Sequence, residues 1–212
     1  MPADALAAYG VADGRWVPLK DILFAVGAMP RAAAAGLPWG VDQQLLEEVD
    51  GLAAAQVAHL MGVGRDPAYR HEVSRLAMGA NLGRLLSRLH AAAADDGERP
   101  RAAQAVHLTS CHDTTPLPML VALDEWDGLW PCFCAALSFE LWAPEPGEGG
   151  PPLVRLLANT RTVGAPLREA ARWTLPQFEA LVAPLVPPGD DEAECRPRSA
   201  EFPPELALGA QF

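Results

Sequence analysis

Apolar residues recur at helical spacing through the first half of the chain. Leu45, Leu46, Val49, Leu52, Ala53, Val57 and Leu60 form one stripe behind Asp42, which predicts an amphipathic helix with an aspartate cap. A second helix is predicted from Asp66, with Pro67 in the first helical position. Tyr69, Val73, Leu76, Ala80 and Gly83 share one of its faces, and Leu86 and Leu89 lie close to it. Gly79 and Gly83 each lower helix propensity by about 1 kcal/mol relative to Ala. Two glycines one turn apart therefore point to a close approach, by another packed backbone ahead of a ligand.

Residues 93–101 (AADDGERPR) read as a polar linker. The run Ala105–Cys111 is apolar with β-branched members and predicts a buried strand. It stops at His112-Asp113-Thr114-Thr115-Pro116, where Thr114 or Thr115 can cap a helix continued by Leu117, Met119, Leu120 and Leu123. His112 and Asp113 are thus expected where a strand hands over to a helix, a common ligand position in α/β proteins.

Residues 135–142 alternate Ala136, Ser138, Glu140 and Trp142 with Leu137, Phe139 and Leu141, the signature of a half-buried strand. Pro144–Pro152 reads as a loop and Leu153–Ala158 as the returning strand. Thr174-Leu175-Pro176-Gln177 fits a capping box opening a helix with Phe178, Leu181, Val182 and Leu185. After Pro187 the chain turns acidic and Pro-rich, with Asp190, Asp191, Glu192 and Glu194, and reads as a surface strap or disordered tail.

Half of the 212 residues are apolar and 20% are charged, which suits a packed core and excludes wholesale disorder. The net charge of -11 argues against a nucleic-acid backbone or an anionic membrane as partner. It leaves room for an anionic small substrate, since a local positive cluster can override the total. No apolar run approaches membrane-spanning length. The opening MPADALAAYG has no Lys or Arg ahead of an apolar stretch, so no secretory signal is expected there. The four cysteines do not fix the compartment, and Cys132 and Cys134 are too close in sequence to pair comfortably with each other.

A histidine beside a carboxylate at a strand-to-helix corner can do paired acid–base work on an anionic group. The flanks of the pair give it meaning. Val106-His107-Leu108-Thr109-Ser110-Cys111-His112-Asp113-Thr114-Thr115, then Asp127-Gly128-Leu129-Trp130-Pro131 and Glu140-Leu141, resemble the C-terminal motif region of the histidine acid phosphatases. Within that family the prostatic and lysophosphatidate types are nearest. Phe178, Leu181-Val182, Pro184 and Glu194-Cys195 are similar to its closing segment, and Leu19-Lys20-Asp21 matches loosely.

The resemblance implies an α/β fold. This chain would form the C-terminal part of a histidine-phosphatase-like mixed sheet flanked by helices, with a helical, cap-like N-terminal half. Residues 1–103 would be the helical region, 104–188 the α/β core with the His-Asp motif, and 189–212 the acidic tail. It also implies hydrolysis of a phosphate monoester through a phosphohistidine, without metal or organic cofactor. His112 would stabilise the phosphoryl group, Asp113 would protonate the leaving alcohol, and Thr114 would contact the phosphate. The family's nucleophile lies in an R-H-G-x-R-x-P motif, which this sequence lacks. Arg70-His71 is followed by Glu72 inside a predicted helix and is no substitute. The sequence is therefore expected to be part of a longer enzyme and inactive alone. The alternatives are a short relative that binds phosphate or a partner without turnover, and a nucleophile supplied by another chain.

The bland alternative for the pair is a core histidine followed by a helix-capping aspartate. His107 is expected to be structural, and His59, His71 and His90 to lie at the surface or its boundary. A metal site assembled from Cys111, His112, Asp113, Cys132 and Cys134 lacks C-x-x-C or H-x-x-x-H spacing. No serine-hydrolase or nucleotide-binding motif is present. Substrate, compartment and oligomeric state are not legible in the sequence.

Overall fold

A computed structural model of the chain describes residues 42–94, 106–144, 149–159 and 166–189. The expectations for the N-terminal segment, the polar linker, the acidic tail and Cys195 fall wholly or mostly outside these residues. Within them run α1 (Gln43–Leu60), α2 (Pro67–Ala93), α3 (Pro116–Ala122), β1 (Leu137–Trp142), β2 (Leu153–Ala158), β3 (Arg168–Thr174) and α4 (Leu175–Val182), followed by a 3-10 turn at Ala183–Leu185.

The helix starts follow from their caps. Asp42 accepts the Leu45 N–H at 2.9 Å, and Asp66 accepts those of Ala68 and Tyr69 at 2.8 and 3.3 Å. Thr174 and Gln177 close a reciprocal capping box at the start of α4. The buried faces are rotated from the predicted stripes. On α1 the buried residues are Leu46, Val49, Ala53, Ala54 and Ala58, while Leu45, Leu52 and Leu60 are exposed. On α2 they are Ser74, Met78, Gly79, Leu82 and Leu89, while Tyr69 and Leu76 are exposed. Ala53, Ala54 and Gly79 are buried beside Leu46, Val49, Met78 and Leu82, so small residues share the buried face with large ones.

The sheet has order β1-β2-β3 and is antiparallel throughout the described residues. Its inner face supplies Val154 and Leu156 to a core shared with Met78, Leu82 and Leu89 of α2 and Phe178 and Val182 of α4. On the outer face Glu140, Arg155 and Arg172 lie opposite one another across the three strands. Glu169 accepts from Arg155 at 2.7 Å and Arg172 at 2.8 Å. Those two hydrogen bonds hold its carboxyl below the ordinary range.

Two expectations are corrected. The run before His112 is not a buried strand. Residues 106–112 have no regular structure and are exposed, Val106 by 79% and Leu108 by 91%. His107 is likewise exposed rather than packed into a structural position. An extended segment needs a neighbour for its backbone groups, and none of the three described strands pairs with this one. The parallel component of the expected mixed sheet is therefore missing among the described residues, leaving helices and a small antiparallel sheet. The second correction is an addition. β3 carries no strand signal in the sequence, because Arg168-Glu169-Ala170-Ala171-Arg172 is rich in helix formers. Pairing with β2 overrides that preference.

Candidate functional site

The short helix α3 is the anchor of the candidate site. Every residue from Pro116 to Val121 is buried. Met119 and Leu120 enter the core beneath the sheet, whereas Leu117 and Val121 pack with Ala53, Ala54, Met61 and Trp130. The turn that precedes this helix, His112 to Thr115, is closed by the Thr115 N–H donating to the His112 carbonyl at 2.9 Å. His112 itself is exposed. The pair is thus outside any helix and His112 is not a core residue, but the strand expected to lead into it is absent.

Asp113 is gripped on both carboxylate oxygens. Oδ1 accepts the Thr114 N–H at 2.9 Å, and Oδ2 accepts the Trp130 indole Nε1–H at 2.8 Å. Trp130 is 4% exposed, and a buried indole N–H calls for such an acceptor. The turn that delivers it is built locally. Gly128 takes φ +89°, Asp127 Oδ1 accepts the Leu129 N–H at 3.1 Å, and Trp126 Nε1–H donates to the Leu129 carbonyl at 2.9 Å. A side chain would be strained at the left-handed Gly128, and glycine relieves that. Trp130 is the site residue that sequence reading missed, although its turn had been singled out. The signal was available: a tryptophan in an apolar setting needs a partner for its N–H.

Thr114 is exposed, and its N–H is already engaged by Asp113. Its hydroxyl is what it can offer a phosphate. Thr115 occupies the cap position of α3, but its side chain makes no capping bond. The helix start also offers little to an anion. Pro116 and Pro118 have no N–H, and those of Leu117 and Met119 donate to the carbonyls of Asp113 and Thr115. The positive end expected from a helix N-terminus is largely used up by the turn itself.

Arg70 is committed elsewhere. It donates to the Val121 carbonyl at 2.9 Å and to Asp124 Oδ1 at 2.8 Å, fastening the C-terminal end of α3. His112 and Asp113 precede the opposite end, and a helix of this length separates the two by roughly 10 Å. His71, next to Arg70 on α2, is exposed, as are His59 and His90. Beside the Arg70 clamp, Glu125 is held above the ordinary carboxyl range, first by burial and then by the charge of Asp124.

Cys111, Cys132 and Cys134 are free thiols. No group of three or more His, Cys, Asp and Glu suited to a metal ion occurs among the described residues. None of the described helices is long and apolar enough to cross a membrane. In comparisons with known proteins, no family model matches this chain, and no curated protein matches it.

Proposed function

We propose that this chain is the C-terminal part of an acid phosphatase of the histidine type, which hydrolyses phosphate monoesters through a phosphohistidine. His112 stabilises the transferring phosphoryl group, Asp113 gives a proton to the leaving alcohol, and the Thr114 hydroxyl contacts the phosphate. The nucleophilic histidine and its arginines belong to a segment outside the present sequence. The observation that carries this reading is the hydrogen bond from Trp130 to Asp113. It joins two of the motif pieces on which the resemblance rests, the His-Asp turn and the Asp-Gly-Leu-Trp-Pro turn. They stand 17 residues apart on either side of α3, and Trp130 packs against Leu117 and Val121 of that helix.

The chemistry suits the geometry in two further respects. Two N–H bonds hold the Asp113 carboxylate in place. They fix its orientation, as a proton donor to a departing oxygen requires. The exposed Val106–Cys111 segment, with β-branched Val106 and Thr109, leads straight into His112. A missing nucleophile strand is the partner this reading supplies.

The test compares hydrolysis of aryl phosphates by this chain and by a longer chain with an upstream R-H-G-x-R-x-P segment. Each is paired with its Asp113→Asn variant. The present chain should hydrolyse no faster than its variant. The longer chain should lose activity on Asp113→Asn, most with poor leaving groups, because a good leaving group needs no protonation. Asp113-dependent hydrolysis by the present chain alone would refute the missing-nucleophile reading. A longer chain that binds phosphate without turnover would make this a binding module.

A further inference from the structure

The turn after Trp130 and Pro131 holds two thiols in an unusual setting. Residues 132–135 close on themselves through the Ala135 N–H, which donates to the Cys132 carbonyl at 3.0 Å. Cys134 takes the third position of this turn with φ +58°. That conformation favours glycine or asparagine, and another residue there costs on the order of 1–2 kcal/mol. A cysteine in that conformation is an outlier, and an outlier of this kind motivates a hypothesis of function. Cys134 is exposed and Cys132 half-buried, and both are free. The Cys132 thiol donates to the Asn159 carbonyl at 3.4 Å, while Asn159 Oδ1 accepts the Ala136 N–H. The C-terminal end of β2 thereby pins the turn from its other side.

We propose that Cys132 and Cys134 form a two-thiolate site for a soft monovalent cation, copper(I). The ligand number selects the ion. Zinc takes four protein ligands in a structural site and three in a catalytic one, and no third donor gathers here among the described residues. Copper(I) is selected by thiolate sulfur. On binding, each thiol loses its proton to solvent and each sulfur gives an electron pair to the ion. One copper(I) and two thiols become one two-coordinate complex of charge -1 and two protons, with no change of oxidation state. Cys132 gives up its bond to the Asn159 carbonyl in the process. The closed turn keeps the two cysteines near each other in the backbone, which limits the ordering cost of chelation.

The probe is copper(I) itself, added anaerobically to the reduced full chain in competition with a coloured copper(I) chelator. One ion per chain should be retained. Cys132→Ser and Cys134→Ser should each weaken retention about 100-fold or more, since two linked donors exceed one by that order. Cys111→Ser and Cys195→Ser should leave it unchanged, and circular dichroism of each variant monitors folding. Equal losses for all four cysteines would overturn the site. So would half an ion per chain with dimers forming, because the thiols would then be bridging molecules. Asn159→Ala removes the side chain that holds Ala136 and should lower affinity less than loss of either thiol. An Asn159→Ala loss as large as a thiol's would mean the turn's shape, and not the sulfur pair, sets the affinity.

Discussion

Gly79→Ala offers the sharpest test of the packing that holds the candidate site. A Cβ on Gly79 would overlap the Leu185 carbonyl oxygen and lie 2.8 Å from Pro187 Cδ. Both belong to the segment after α4, and Leu185 is itself a core residue at 6% exposure. Backbone cannot rotate out of the way as a side-chain tip can, so relief requires lifting this segment off α2 and loosening Leu185. Overpacking of this kind costs about 1–3 kcal/mol, against a gain of about 1 kcal/mol from alanine's better helix propensity. With backbone as the obstacle, the net should be a loss of roughly 1–2 kcal/mol. Two sister variants calibrate it. Gly51 in α1 has nothing within 4 Å of a new Cβ, so Gly51→Ala should keep the propensity gain and stabilise by up to about 1 kcal/mol. At Gly83 the nearest atom is a methyl of Val186 at 3.0 Å, and the two effects should nearly cancel. Urea unfolding followed by far-ultraviolet circular dichroism reads all three as midpoint shifts at constant slope. A Gly79→Ala protein as stable as Gly51→Ala would refute the reasoning, because it would mean that no backbone lies on that face.

Removing the Asp113 carboxylate takes away the acceptor of a buried indole N–H. Asp113→Ala should cost about 1.5–3 kcal/mol, the worth of a hydrogen bond to a charged group. Asp113→Asn keeps a carbonyl acceptor and should cost less, which also makes it the proper activity control. Thermal melts decide this, and an alanine variant within about 0.5 kcal/mol of the parent would mean that Trp130 does not depend on Asp113. Glu125 supplies a pH test. Its folded pKa is raised, so the folded chain holds the proton to higher pH than the unfolded one. Stability contributed by this group therefore falls as pH rises from the ordinary carboxyl range through the raised value. Glu125→Gln should melt higher than the parent at pH near 7, and the advantage should vanish below about pH 4. The same advantage at both pH values would show that charge is not its cause.

How much of this was legible in the sequence depended on whether local or distant contacts decide each element. Caps are local chemistry, and Asp42, Asp66 and Thr174 act as their neighbours require. The β1–β2 hairpin was legible because alternation reports a half-buried face whatever lies across it. Gly79 and Gly83 signalled a close approach, and the backbone and side chains of the segment after α4 provide it. Which face of α1 and α2 is buried was read less well. The stripe method weighs large side chains, whereas Ala53, Ala54 and Gly79 sit at the closest contacts. β3 was illegible because its strand state comes from β2, not from its own residues.

The site divides along the same line, and the division has a physical meaning. Downstream of His112 everything that fixes the turn lies within reach: α3, buried from Pro116 to Val121, a Thr114 N–H, and a tryptophan whose own turn is tied by Asp127 and Trp126. Upstream, an apolar β-branched run satisfies the sequence criterion for a buried strand and lies exposed. A buried strand is a property of a pair, and composition reports only one member. Apolar side chains at Val106 and Leu108 gain nothing from water, and a neighbour on that side would bury them at about 25 cal/mol per Å² of apolar surface covered. The carboxylate of the candidate site is therefore set by the described residues, and under the phosphatase proposal the missing strand would cover the Val106–Cys111 side.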